Sequence, residues 1–417
     1  MKRRSFLRTG ALAAGLGLGA GSAPAQEAAE RLPETQWKPD PDLGTHWDLF
    51  QKISAKCAPE MTFLQDRYND PEAWTREARA KLVDCFHYTD TERDPQPGLV
   101  HREDRGDFFR ERIELYTTAG QRAGMYLLVP KNLNRPAPGI VALHDHGGFY
   151  LWGKEKLTKV DPVHPALQKF KDQYYGGRDL ADELARLGYV VAVPDMLHWG
   201  ERGMYFEKDP DRVKNRTMDL TEDDIKQFNA RSWAHEEILG RTALAAGTTV
   251  SGIITWDDMC AADYLCSRPE VDAERVGCVG LSVGSVRTIF LGALHPKVRA
   301  SVAVCWMSEY QPLIRNNIRW AVGFSKLVPG LYQHLDWPDL GGLHWPGALM
   351  TINGLKDELY PIDAAQRAVR KIEDIFEKMG APDNFEGVFF DGPHEFNLAM
   401  QERAFAFLGK HLAEKEA

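Results

Sequence analysis

Cysteine is scarce. Cys57, Cys85, Cys260, Cys266, Cys278 and Cys305 are the six in 417 residues, and no pair stands at metal-ligand spacing. That excludes a zinc or iron–sulfur module built on thiolates. Cys278 and Cys305 fall in strand-like runs, where cysteine acts as a small hydrophobe. Cys57 and Cys85 form a pair that an oxidising compartment would allow to join; spacing alone does not decide it. An excess of positive charge is also missing. The formal net charge is −9, so nucleic acid and anionic membrane are poor partners. There is no internal repeat, and beyond the N-terminus there is no low-complexity segment and no apolar run long enough to span a bilayer.

The N-terminus is different. Arg3-Arg4-Ser5-Phe6-Leu7 precedes a weakly apolar Gly/Ala stretch and then Ala23-Pro24-Ala25. That order of charge, apolar stretch and small-residue cleavage site resembles a twin-arginine export signal. Residues 1–25 are expected to be removed, leaving a soluble bacterial protein that is periplasmic or secreted. No cysteine at the cleavage site offers a lipid anchor. The segment carries four basic residues, Lys2, Arg3, Arg4 and Arg8, and no acidic one, so the balance moves from −9 to −13 for residues 26–417. The remaining 392 residues suit one large domain with an extension, or two domains.

The chain after the signal changes texture near residue 110. Residues 26–105 are polar, with helix-like stretches around 46–66 and 72–86, and read as a helical extension. Strand-like runs follow at 112–117 and 125–129, joined by a turn at Ala119-Gly120. Short, continuous, often β-branched runs then recur at 140–143, 189–193, 276–281, 298–305, 348–352 and 388–390. Such runs suit strands buried on both faces. Amphipathic stretches at 178–187, 256–266, 362–379 and 395–412 lie between or after them. The alternation predicts an α/β fold with a mostly parallel sheet and helices on both faces. Residues 196–255 and 307–346 are too long for plain crossovers. Both follow strand ends, where open α/β sheets place their sites, and are expected to form a cap.

Gly280-Leu281-Ser282-Val283-Gly284 stands between the strand at 276–281 and a helix at 283–294. A G-x-S-x-G turn in that setting holds a serine hydroxyl out at the carboxyl edge of a sheet. Serine needs a base near neutral pH. Two further loops leave strands at the same edge: Asn353-Gly354-Leu355-Lys356-Asp357-Glu358 and Asp391-Gly392-Pro393-His394-Glu395-Phe396. Their order, serine then acid then histidine, is that of an α/β hydrolase.

From about residue 110 onward the chain resembles the α/β-hydrolase superfamily. Within it the chain is similar to secreted bacterial dienelactone-hydrolase-like and acetyl xylan esterase-like proteins. LHDHGG at 143–148, PDMLHWGERG at 194–203, WDDMCAADYLCSRPEVDAERVG at 256–277 and VAVCWM at 302–307 carry the likeness. The resemblance implies Ser282 as nucleophile, His394 as general base and Asp357 as orienting acid. Glu358 is the nearest rival for the acid, and Asp391 stands too early after its strand. Where many relatives have glycine after the first-loop histidine, this chain has Asp145, which leaves the second oxyanion donor open between the N–H of His146 and that of Gly147. Val283 N–H would be the first donor. His144-x-His146 is also a metal-ligand spacing, but no further ligand cluster accompanies it. His144 otherwise reads as a core histidine holding the loop.

The expected activity is serine carboxylic-ester hydrolysis through an acyl-enzyme, without metal or organic cofactor. The substrate would be a small-molecule or carbohydrate ester. Trp152, Trp199 and Trp306 follow strand ends and would stack on sugar rings or wall a pocket. Arg202, Lys154 and His198 are candidates to read a substrate carboxylate. A dienelactone-type hydrolase and a prolyl-oligopeptidase-type peptidase share the catalytic domain; the peptidase usually adds a propeller, which about eighty residues cannot build. A catalytically inactive binding module is the non-enzyme alternative, and the presence of all three triad residue types argues against it.

Overall fold

Nine strands pair into one sheet in the computed structural model, which describes residues 42–88 and 93–414. The expected export signal and the first part of the extension lie outside the described residues. The strands are β1 (Gly98–Asp104), β2 (Phe108–Tyr116), β3 (Arg122–Pro130), β4 (Ala137–Leu143), β5 (Val190–Pro194), β6 (Val271–Leu281), β7 (Val298–Val304), β8 (Ala348–Gly354) and β9 (Phe385–Phe390). Their order across the sheet is β1-β2-β3-β5-β4-β6-β7-β8-β9. β1, β2, β3 and β5 pair antiparallel; β5, β4 and β6 to β9 pair parallel. β4 connects to β5 on one side, and the chain then crosses to β6 on the other. The crevice above β4 and β6 is therefore a topological switch point, the place where such sheets bind ligands.

The central strands β4, β5, β7 and β8, and β6 from Val276 onward, are apolar along nearly their whole length and buried on both faces, as expected of a sheet covered by helices. The helix Val283–Leu294 lies under the sheet with nearly every residue buried. Val286, Ile289 and Phe290 pack there with Trp74, Leu82 and Phe86, and Phe86 meets Phe290 edge-on with ring centroids 5.1 Å apart.

The N-terminal extension departs from expectation in two ways. Residues 46–66 are not one helix: Trp47–Ser54 is helical and turns follow, because Pro59 removes a helical N–H donor. Residues 98–104 are not helical either, but form the edge strand β1 on β2. That strand is exposed at four consecutive residues, so no alternation marked it. The second helix matches its expected place. It spans Pro71–Phe86, opened by Asp70, whose carboxylate accepts from Glu72 N and Ala73 N, with proline in the first turn. Its Trp74 is fully buried and donates to the Met61 carbonyl at 2.7 Å. The extension is thus part of the core. Cys57 and Cys85 remain free thiols.

The two long connections fold over the carboxyl edge. Residues 196–255 contain the 24-residue helix Glu222–Ala245. A capping box of Thr221 and Asp224 starts it, and Arg212 clasps Asp224 with two bonds of 2.9 Å. Residues 307–346 hold only short helical turns, among them Ile318–Ala321 and Trp337–Gly342.

Candidate active site

Ser282 sits between β6 and the helix Val283–Leu294 with φ 61° and ψ −117°. A non-glycine residue there costs roughly 1–3 kcal/mol and persists only where its surroundings enforce it. The enforcement is visible. Ser282 N donates to the Val304 carbonyl at 2.8 Å, and the Ser282 carbonyl accepts from Ser285 N at 2.9 Å. A Cβ on Gly280 would lie 2.4 Å from the Gly284 backbone, and one on Gly284 would lie 2.1 Å from the Leu143 carbonyl. Only glycine lets strand, helix and the end of β4 approach this closely.

Asp357 and His394 leave β8 and β9 at the same edge. His394 Nδ1 lies 2.7 Å from Asp357 Oδ2. The other Asp357 oxygen accepts from Leu359 N at 2.9 Å. The rivals are elsewhere: Glu358 is exposed, and Asp391 pairs with Lys356 at 2.7 Å on the surface. Ser282 and His394 line one cavity of about 390 Å³. Cys305, which sequence reasoning treated as filler, closes the back of this group. Its sulfur, the Asp357 carboxylate and a His394 ring nitrogen all lie within 4.8 Å of one another, and its backbone has φ 55°.

The loop after β4 forms another wall of the cavity. His144 Nδ1 lies 2.9 Å from the Asp145 carbonyl, and His144 Nε2 accepts from Met196 N at 3.1 Å. Burial, with Arg287 and Lys156 nearby, pushes its pKa well below the ordinary value. It is the loop-holding core histidine. His146 Nδ1 accepts from Gly148 N at 3.0 Å, so Nε2 is the protonated nitrogen facing Glu236 Oε1 at 2.7 Å. The metal alternative for His-x-His fails because every ring nitrogen already has a protein partner. Gly147 has φ 56°, and a Cβ there would lie 2.4 Å from Phe170.

Comparison with known proteins agrees with this architecture. A profile of the Abhydrolase family matches residues 43–203. The structure aligns with a Bacteroides fragilis protein assigned as an acetyl xylan esterase, with a TM-score of 0.64, 17% identity and coverage of 83% of this chain and 82% of the other. The chain has the α/β-hydrolase fold. A glucuronoyl esterase from Solibacter usitatus aligns with a TM-score of 0.58 and 14% identity over 86% of this chain and all of the other. By sequence, a Bacillus subtilis protein assigned as a hydrolase, YtaP, is 24% identical over 310 residues, covering 74% of this chain and 90% of its own.

Several expected site residues lie elsewhere in this fold. Trp152, Trp199 and Trp306 do not wall the cavity; all three are buried in the core. Trp199 stacks on Tyr150 at 4.6 Å and donates to the His146 carbonyl, Trp152 stacks on Phe149, and Trp306 packs on Trp337. A large aromatic beside a strand end gains more by folding under the loop than by facing water. Trp233 and Trp320, from the two insertions, line the cavity instead, with ring centroids 5.9 Å apart. Nor are Arg202, Lys154 and His198 free to read a carboxylate. Arg202 pairs with Asp257 at 2.6 Å, Lys154 with Asp195 at 2.7 Å and Glu201 at 2.8 Å, and His198 Nε2 lies 2.9 Å from the Ser232 carbonyl. Against the desolvation of burial, Asp195, Glu155 and Glu201 hold the Lys154 pKa above its ordinary value.

Asp145 also has a structural explanation. Its carboxylate accepts from Tyr175 Oη at 2.6 Å and lies 3.4 Å from Lys156 Nζ, so it ties the loop to the layer beneath. Glu236, on the helix Glu222–Ala245, was missed by sequence reasoning. It accepts from Tyr150 Oη at 2.9 Å as well as facing His146. Against burial, those two partners hold its pKa below the usual carboxylate value. Its signal was weak: one acid in a charged helix looks like any solvated face.

Proposed function

We propose that the protein is a serine carboxylic-ester hydrolase. The observation that carries the reading is the 2.7 Å contact between His394 Nδ1 and Asp357 Oδ2 on a cavity shared with the strained Ser282. Asp357 accepts a hydrogen bond from the His394 Nδ1–H, which leaves Nε2 as the basic nitrogen. Ser282 Oγ attacks an ester carbonyl while His394 Nε2 takes its proton. The alcohol leaves with that proton, and water attacks the acyl-enzyme by the same route. Val283 N–H, at the start of its helix, has no intrahelical acceptor and serves as the first oxyanion donor. The second is Gly147 or His146 N–H. The carbonyls of Asp145 and His146 are both turned to Lys156 Nζ, at 2.9 and 3.0 Å. In a trans peptide the following N–H points the opposite way, so both N–H groups face away from Lys156. Losing one oxyanion donor typically costs about a hundred- to a thousandfold in rate.

An acylated carbohydrate or similar small ester is the proposed substrate. The cavity offers two tryptophans and polar groups around Ser282, and structural neighbours assigned as an acetyl xylan esterase and a glucuronoyl esterase share the fold. Export through the twin-arginine route is proposed from residues 1–25 alone. Mass analysis of the periplasmic protein should find it beginning at Gln26. Hydrolysis of p-nitrophenyl acetate by wild type beside Ser282→Ala tests the activity. A burst followed by turnover, lost in the variant, supports the reading; equal rates overturn it.

A further inference from the structure

Four lysines are buried among the described residues: Lys154, Lys156, Lys171 and Lys326. The first three each have a carboxylate partner, at 2.7 Å (Asp195), 3.4 Å (Asp145) and 2.6 Å (Asp179). Lys326 has none among the described residues. Its Nζ donates to the Ala321 carbonyl at 2.6 Å and the Tyr360 hydroxyl at 3.3 Å, two neutral acceptors for three N–H donors. A buried cation without a counter-ion is costly and seldom kept without use.

Its place suggests the use. Lys326 lines the cavity that holds Ser282 and His394. Arg319, on the same insertion, lines it too; its guanidinium lies 4.8 Å from the Trp320 ring centroid, again without a carboxylate partner among the described residues. The carboxylates of the cavity wall are already engaged, Glu236 by His146 and Tyr150, Asp145 by Tyr175 and Lys156. Neither cation has a carboxylate partner among the described residues, and both anions are engaged.

The structure assigns Lys326, with Arg319 on the same cavity wall, to an anion subsite that receives a carboxylate carried by the ester substrate. This rests on the ester-hydrolase reading and narrows its substrate class. Burial brings the Lys326 pKa down to about 8, against the pull of Glu236 on the helix Glu222–Ala245 and Asp357 after β8. Tyr360 accepts its hydrogen bond, and His146, Tyr174, Arg319 and His394 are the other titratable or charged groups on that cavity wall besides Glu236 and Asp145. Lys326 therefore loses its charge in the free enzyme as pH rises through about 8, and the subsite keeps only that of Arg319.

Two ester pairs test it. p-Nitrophenyl hemiglutarate against p-nitrophenyl valerate puts the charge on the acid side; 4-acetoxybenzoate against phenyl acetate puts it on the alcohol side. At pH 7 one charged ester should exceed its neutral partner at least tenfold in kcat/KM. That ratio, in which effects common to both esters cancel, should fade above pH 8, drop at least tenfold in Lys326→Met and fall two- to threefold in the exposed variant Arg319→Ala. Neither charged ester preferred, or a ratio that survives in Lys326→Met, overturns the subsite. Calorimetry with Ser282→Ala gives a readout independent of turnover. Monomethyl glutarate should bind at least tenfold tighter than dimethyl glutarate; equal or absent binding of the two overturns it. If no ester is hydrolysed yet the half-ester binds selectively, the hydrolase reading fails and the subsite stands.

Discussion

The floor of the cavity and its roof are built on opposite terms. On the floor, Ser282, Asp357 and His394 stand at the ends of β6, β8 and β9, each fixed by backbone bonds and close packing. On the roof, Trp233 and Trp320 are about half exposed, and Arg319 and Lys326 are cations without a carboxylate partner among the described residues. The floor spends its polar groups on one another, whereas the roof leaves them open. A sheet edge can hold reacting groups to fractions of an ångström, while inserted loops can vary without disturbing it. On the proposed reading, chemistry belongs to the floor and selectivity to the roof. The Glu236–His146 contact ties the two together.

Breaking the floor should have the largest effect. Asp357→Asn keeps the shape of the pair but favours the wrong imidazole tautomer, and kcat on p-nitrophenyl acetate should fall about ten-thousandfold. Breaking the tie comes next. Glu236→Ala releases His146 and with it the loop that carries the second oxyanion donor, so kcat should fall up to about a hundredfold with KM little changed. Glu236→Gln still accepts from His146 Nε2 and should restore most of the rate; a loss equal to that of alanine would deny the positioning role.

Two stability measurements sharpen the same contrast. Trp74 belongs to the extension but is buried under the helix that carries Ser282. Trp74→Ala should cost about 3–5 kcal/mol in urea unfolding, as expected of a core residue; a cost under about 0.5 kcal/mol would detach the extension from the floor. On the roof, burial raises the pKa of Asp336 from 3.8 to about 7, helped by the Asp339 carboxylate and opposed by Lys371. The folded state therefore favours the protonated acid. Its contribution is fully present below pH 3.8 and is lost as pH rises through about 7. Asp336→Asn should flatten that part of the pH dependence of Tm; an unchanged profile would assign the decline to other groups.

The same contrast explains what was legible in the sequence. β4, β6, β7 and β8 are continuous apolar runs, and the glycines around Ser282 are a local signature, so the floor could be read from neighbouring residues alone. The roof depends on where distant loops meet. Nothing in 196–255 or 307–346 marks Trp233 and Trp320 as neighbours, or Lys326 as the buried lysine without an acid. Adjacency to strand ends pointed to Trp152, Trp199 and Trp306, which pack inward instead. It also pointed to Lys154 and Arg202, which a buried ionic network consumes. β1 escaped notice because an exposed edge strand needs no alternation.

The most direct test of the floor is the mass of the intact protein after treatment with a fluorophosphonate. One adduct per chain, mapped to Ser282 and absent from both Ser282→Ala and acid-unfolded protein, is the expected result. No adduct on the native protein, or one that persists in Ser282→Ala, would contradict a nucleophilic Ser282.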